Sequence, residues 1–298
     1  LKRIIKIKLA LLAVFIAGFT VSDGTISESL AQSSADAAGQ ESLAEINRRL
    51  NNPVSSIWSL NFQNNFNFLD GFPSDKTRFF YNMNFQPVIP LPLTRDWNLI
   101  NRPVIPVILG KPVFNPETGF HGRSGLGDIA MVNLLSPSSE GRFIWGIGPT
   151  WIFPTATKQN LGQQKWQLGP AAVGLYLSET WVAGLFPQQW WSIGGKDNRP
   201  DTSQMSLQYF LWRLLPNAWQ VGLGSPIINI SWKADDDDKV NLPVGLGVGK
   251  TVRVGKLPVK VQLQGQYSVV HEDTLGQRWL IQLTLTPVIP NLIRNPIF

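Results

Sequence analysis

The sequence predicts an all-β fold, a transmembrane antiparallel up-and-down β-barrel of about twelve strands. The first of three observations behind this is Val259-Lys-Val261-Gln-Leu263-Gln-Gly265-Gln-Tyr267-Ser-Val269, where odd positions are apolar or aromatic apart from Gly265 and even positions are polar. Side chains of a strand alternate between faces, so the segment has one greasy wall and one wet wall, over about the length that a tilted strand needs to cross a bilayer. Second, the pattern recurs along the chain behind an export signal. Third, the chain has no cysteine, 12 Trp, 16 Phe and only 15% charged residues. An exported chain without disulfides needs another way to hold itself together, and a sheet closed on itself supplies one.

The export signal is read from three parts in order. Leu1 to Lys8 carries Lys2, Arg3, Lys6 and Lys8, Leu9 to Val21 is apolar and uncharged, and Ser29-Leu30-Ala31 offers small residues for cleavage before Gln32. The apolar run is too short for a membrane helix, so residues 1–31 are expected to be a signal peptide. Residues 32–55 read as a periplasmic leader. Within it Leu43, Ala44, Ile46, Asn47 and Leu50 fit one side of a two-turn helix that Pro53 ends. The barrel is expected over 56–289, with a tail over 290–298. Of the +6 formal charge, Lys2, Arg3, Lys6 and Lys8 against Asp23 and Glu28 leave with the signal, so about +4 stays on the mature chain. That is too little to argue for a nucleic-acid partner.

Taken in order, the first strand alternates Trp58, Leu60 and Phe62 with Ser59, Asn61 and Gln63, and the second alternates Tyr81, Met83 and Phe85 with Asn82, Asn84 and Gln86. The third, Asn98 to Leu109, is rich in Val and Ile but interrupted by Pro103 and Pro106, which weakens it as a strand. Leu126 to Leu135 is fourth and carries Asp128. The fifth is marked by Phe143, Trp145, Ile147, Trp151 and Phe153. Leu168 to Leu177 and Trp181 to Trp191 are sixth and seventh, and Met205 to Leu211 marks the eighth. The ninth opens at Trp219, kinks at Gly224-Ser225-Pro226 and resumes from Ile227 to Trp232. The tenth sets Val240, Leu242, Val244, Leu246 and Val248 against Asn241, Pro243, Gly245, Gly247 and Gly249. The twelfth sets Trp279, Ile281, Leu283 and Leu285 against Arg278, Gln282, Thr284 and Thr286.

Connections after even strands are short (91–96, 136–141, 178–180, 215–217, 253–256). Those after odd strands are longer (69–77, 110–125, 154–167, 193–202, 233–239). Outer-membrane barrels show that asymmetry between tight periplasmic turns and long external loops. Trp97, Trp151, Trp166, Trp181, Trp190, Trp191, Trp232 and Trp279 fall near strand ends, where interfacial girdles sit.

Several motifs resemble a bacterial outer-membrane family. Ser124-Gly-Leu-Gly-Asp-Ile129, Trp145-Gly-Ile-Gly-Pro-Thr150, Phe153-Pro-Thr-Ala-Thr157, Leu161-Gly-Gln-Gln-Lys-Trp166 and Gly255-Lys256-Leu257-Pro258-Val259 are among them. So are Gln86-Pro87-Val88-Ile89-Pro90 and Asp96-Trp97-Asn98-Leu99-Ile100 upstream. The family is that of transporters assigned to the meta-pathway of phenol degradation, some of whose bacterial members carry the label neuromedin U. The resemblance runs from about Asn52 to Pro287 and implies an outer-membrane barrel in a Gram-negative cell, with transport of aromatic compounds suggested by association. It supplies no catalytic or binding residues. Phe298 is terminal, as in barrels that end on an aromatic, but Pro287, Pro290 and Pro296 separate it from the last alternating strand.

Chemical motifs are thin. Gly245-Leu-Gly-Val-Gly249-Lys250-Thr251 has Val244 where a phosphate loop needs glycine, and no helix follows. Asp235 to Asp238 reads as a solvated loop. His121 and His271 lie in expected loops, and without cysteine or a Gly-x-Ser-x-Gly elbow no enzyme is expected. His271-Glu272-Asp273 is the nearest approach to a base with an orienting carboxylate.

The expected function is a passive channel or transporter for small, aromatic or weakly polar solutes; a non-transporting structural or surface-interaction barrel with a filled lumen is the alternative. Lumen-lining candidates are Asn82, Asn84, Gln86, Gln262, Gln264, Gln266, Gln282 and Thr284, with Arg102, Lys260 and Arg278 as partners across the lumen for Asp128. No cofactor or metal is implied. Expected partners are outer-membrane lipid and lipopolysaccharide, the barrel-assembly machinery and a small-molecule solute. The sequence does not fix the oligomeric state.

Overall fold

The structure is a computed structural model that describes residues 42–138, 141–293 and 295–298. The expected signal peptide and the expected leader up to residue 41 lie outside the described residues. Fourteen strand segments form one antiparallel sheet that closes on itself: β1 (Ser59–Gly71), β2 (Ser74–Pro92), β3 (Trp97–Asn115), β4 (Gly119–Leu126), β5 (Ile129–Pro137), β6 (Phe143–Phe153) and β7 (Lys165–Leu177), followed by β8 (Trp181–Gly195), β9 (Ser203–Leu215), β10 (Trp219–Gly224), β11 (Ile227–Ser231), β12 (Val240–Val254), β13 (Leu257–Val270) and β14 (Gly276–Pro287).

Two pairs of segments are single staves of the barrel. β4 and β5 pair in succession with β3 and are parted at Gly127-Asp128, and β10 and β11 both pair with β9 and β12 around Ser225-Pro226. The wall is therefore twelve-stranded, and β1 pairs with β14 to close it. The kink at Ser225-Pro226 falls where the sequence places it.

Alternation sorts the side chains as the sequence predicts. On β13, Leu263 and Val269 face out, while Lys260, Gln264, Gln266 and Ser268 are buried inside. Their partners across the ladder keep the same sense, Gln262↔Thr284 and Gln264↔Gln282 inward, Leu263↔Leu283 outward. Exposed Leu135, Ile147, Leu185, Val221, Leu246, Leu263 and Ile281 form the apolar outer band that hydrocarbon would cover.

Aromatic residues sit at both rims of that band. Trp145 stacks edge-on against Trp97, with 6.0 Å between centroids, at the end of the short turns; Trp166 meets Phe153 at 5.6 Å at the other end. Trp190 is the exception among the expected girdle residues. It points inward and donates its indole N–H to Thr150 Oγ1 at 3.1 Å. Its even position on β8 puts it on the same side as Val182 and Phe186.

Strand β3 is continuous despite its prolines. The β2–β3 ladder pauses between Phe85↔Ile105 and Ile89↔Asn101, where Pro87 and Pro103 cannot donate, and Pro106 faces Asn84 in register. Two expected loops are largely strand. Over 69–77 the chain turns tightly at Phe72-Pro73, and over 110–125 β3 and β4 form a hairpin that tapers beyond the barrel wall. Outside the bilayer both faces of a hairpin meet water, so alternation vanishes although pairing persists. Phe114 against Phe120 at 5.1 Å, with the Arg78 guanidinium 3.9 Å over Phe120, binds this hairpin to β2. At its tip Asn115 Oδ1 accepts the Glu117 and Thr118 amides, and Gly119 takes φ +78°.

Inside the end that carries the short turns lies the segment preceding β1. Helix α1 (Leu43–Arg49) is capped by Ser42, whose Oγ accepts the Glu45 amide at 3.2 Å. Ile46 and Asn47 are buried against the barrel, and Val54 joins a core with Val88, Ile100 and Leu134. The helix expected from the sequence thus forms, and it packs within the barrel, where its apolar stripe has a wall to cover it. The tail returns to the same end, where Ile297 and Phe298 donate to the Pro92 and Leu93 carbonyls.

Candidate functional site

The interior has two unlike halves. On β3 and β5–β9 the inward side chains include Ile100, Val132, Leu134, Val173, Leu175, Val182, Phe186 and Trp212, which pack as two joined apolar clusters. Ile100, Leu134 and Val182 have no exposed surface at all. On β1, β2, β13 and β14 the inward side chains are mostly amides and hydroxyls, with Lys260 among them, and hydrogen bonds join many of them around the circumference. The Ser225 amide donates to Gln264 Oε1 at 3.1 Å, Gln264 donates to Gln282, and Gln282 donates to Asn65 Oδ1 at 2.8 Å. Gln63 also donates to Asn65 Oδ1, and Gln86 donates to Gln63 Oε1 at 2.8 Å. Further along, Asn67 donates to Asn82 and Asn82 to Asn84.

Glycines on β12 let the two halves meet. A Cβ on Gly247 would lie 2.6 Å from the Trp212 indole and 3.1 Å from Gln264 Cβ. The wall therefore stays bare beneath the tryptophan, which is the close packing that glycine at alternate strand positions allows. The same segment, Gly245 to Thr251, is strand throughout.

The N-terminal segment bonds to the polar half through two asparagines. Thr251 Oγ1 donates to Asn47 Oδ1 at 2.9 Å, and Lys260 Nζ donates to Asn51 Oδ1 at 2.7 Å. The Asn51 amide in turn donates to the Asn47 carbonyl and to Gln220 Oε1, both at 2.8 Å. Asn51 was not singled out by sequence reasoning; its proximity to Lys260 across more than two hundred residues leaves no trace in local pattern.

Between segment and wall remains a cavity of about 130 Å³. It is lined by Gln86, Arg102, Lys260, Gln262, Gln264, Gln282 and Thr284 among the expected lumen residues, together with Asn51, Val88 and Phe210. A second cavity of about 90 Å³ lies on the other flank, between Arg49, Asn52 and Val54 and the inner faces of Ser136, Ile144 and Leu177. Gln266 is buried inside the wall above the first cavity, and Asn82 and Asn84 continue the amide row on β2.

Two expected lumen residues sit elsewhere. Asp128 occupies the break between β4 and β5, where its carboxylate accepts the Ala156 amide at 3.0 Å and the Gln163 amide at 2.6 Å. Backbone donors satisfy it, so it does not meet Arg102, Lys260 or Arg278. Arg278 is the extra residue where the β1–β14 register slips, and its guanidinium turns onto the Tyr267 ring, 4.5 Å from the centroid. A bulge re-aims a side chain that strict alternation would send inward.

The loop end carries ordinary surface chemistry. His271 Nδ1 lies 2.7 Å from the Glu272 carbonyl oxygen rather than a carboxylate, and His121 Nε2 lies 2.7 Å from Thr118 Oγ1. Asp236 pairs with Lys239, and Asp238 accepts the Thr274 amide. Lys165 hydrogen-bonds Asp201 at 3.1 Å and holds that carboxyl below its ordinary range.

No family model matches the chain, and no curated protein is similar to it in sequence. Among solved structures it resembles an outer membrane channel from Pseudomonas putida F1, with TM-score 0.55 and 16% identity over 78% of this chain and 96% of that one. Looser matches include the outer membrane phospholipase A of Escherichia coli, with TM-score 0.40 and 11% identity over 85% of this chain and 100% of that one. The likeness to the channel shows the fold, a closed antiparallel β-barrel of the outer-membrane kind.

Proposed function

We propose that this barrel is a passive outer-membrane channel for small solutes, with its inner end occupied by residues 42–58 in the form described above. The observation that carries the reading is the continuous amide wall of β13, β14, β1 and β2. Amides and hydroxyls replace part of a solute's hydration at little cost. The resemblance in sequence to transporters of the phenol meta-pathway suggests aromatic compounds among the solutes, and the Pseudomonas putida likeness supports a channel.

A second reading, a structural barrel with a filled lumen, is favoured by the apolar clusters around Ile100, Leu134 and Trp212, which fill the other half as a soluble core would be filled. Planar-bilayer conductance and solute flux into liposomes separate the two. A channel gives small conductance with the full chain and larger conductance when residues 42–57 are deleted. If neither form conducts or passes solute while both show the heat-dependent gel shift of a folded barrel, the structural reading stands and the channel reading fails.

A further inference from the structure

Two cations face the 130 Å³ cavity, and none of the residues lining it is Asp or Glu. Lys260 is 4% exposed and has one hydrogen-bond acceptor among the described residues, Asn51 Oδ1, for its three protons. Arg102 has a shielded Nη1 with no hydrogen-bond partner among the described residues; its guanidinium rests over the Phe186 ring at 5.6 Å. Neither belongs to an ion pair among the described residues. A charge removed from water without a counter-charge is unfavourable, and here two such charges share one small space. An anion in this space would supply the counter-charge.

The rest of the lining narrows its chemistry. A guanidinium presents paired N–H groups that match a carboxylate, while an ammonium acts as a compact point charge. Val88 and Phe210 border the same cavity, so a short hydrocarbon body has apolar surface to lie against, and Gln86 offers an amide. We propose that this chamber is a binding site for a small monocarboxylate, its carboxyl held by Arg102 and Lys260 and its hydrocarbon end turned to Val88 and Phe210. The site deepens the channel reading: it narrows the solute from small and weakly polar to small and anionic, and it depends on that reading only for the ligand's path. Asn51 takes one of the three Lys260 protons, so the others can serve an occupant while the bond to the N-terminal segment stays in place.

The test uses the purified full chain in detergent, with sodium butanoate and butanamide as probes, since the two share a shape and differ in charge. Calorimetric titration is expected to show butanoate bound at least about tenfold more tightly than butanamide, as charge-assisted pairing requires. Arg102→Gln and Lys260→Gln should each weaken butanoate about tenfold and leave butanamide unchanged, and Arg102→Lys should recover only part of the loss. Equal affinity for the two probes, or butanoate binding indifferent to both substitutions in variants that keep the folded gel mobility, overturns the proposal.

Bilayer recordings separate this from the channel reading. Conductance without butanoate binding removes the site and leaves the channel. Charge-dependent binding without conductance or flux keeps the site and removes the channel.

Discussion

Strands β3 and β13 obey the same alternation and enclose opposite interiors. Inward from β3 comes Ile100, which meets Leu134, Val132 and their neighbours in a dry cluster, with Arg102 beyond it at the cavity; inward from β13 come Lys260, Gln262, Gln264 and Gln266, which lie among amides. The period of a strand says which side chains share a face, not which of the two faces is wet. In β13 the outer face is apolar because lipid covers it and the inner face is polar. In β3 apolar residues occupy both faces for two unrelated reasons, lipid on one side and packing on the other, with Arg102 the inward exception.

The comparison can be broken from either half. Replacing Trp212→Ala removes the largest fully buried side chain and leaves a void beneath Gly247, and should cost about 3–5 kcal/mol, read as a lower urea midpoint for the folded barrel. Asn65→Leu deletes the acceptor shared by Gln63 and Gln282. With two buried amides left short of a partner, the expected loss is about 1–3 kcal/mol by the same measurement. If the polar variant proves as stable as the native chain, the amide row is solvated rather than structural.

Gly247→Ala sharpens the contrast at the seam, because a methyl 2.6 Å from a rigid indole forces Trp212 to move; it should cost about 1–3 kcal/mol, read as a lower urea midpoint, and change tryptophan fluorescence. Asn51→Ala should leave the barrel folded while freeing Lys260, Gln220 and helix α1 from one another, and should raise bilayer open probability without a change in heat-dependent mobility.

The smallest effect lies outside the membrane. The Lys165 hydrogen bond lowers the Asp201 carboxyl below its unfolded value, so the pair stabilises the fold above the ordinary carboxylate pKa and loses that contribution as pH falls through the lowered one. Asp201→Asn should therefore melt slightly below the native chain at neutral pH, and the gap should close on acidification. Exposure of Asp201 keeps it small.

The same two halves explain what was legible beforehand. Strand number, the kink at Ser225-Pro226, the short turns and the inward set Gln262, Gln264, Gln282 and Thr284 follow from alternation, because a wet inner face writes itself into the sequence. Strand β3 gave a weaker signal: with apolar residues on both faces it reads as a Val and Ile run, and its prolines speak against pairing that the ladder accommodates by pausing. The hairpin at 110–125 was taken for a loop because water lies on both its faces. Asp128 and Arg278 were misplaced by irregularities, a strand break and a bulge, which periodicity cannot register. The cavity was legible only as separate residues. That Arg102 and Lys260 share a space depends on closure, and that Asn51 joins them depends on where the segment before β1 is seated.

That seat bears on the order of assembly. Helix α1 is tethered to the first strand, yet Thr251 and Lys260, to which it is moored, belong to β12 and β13 near the far end of the chain. Its berth does not exist until nearly every hairpin has formed and the first and last strands have found each other. The segment that precedes the first strand is thus among the last to come to rest.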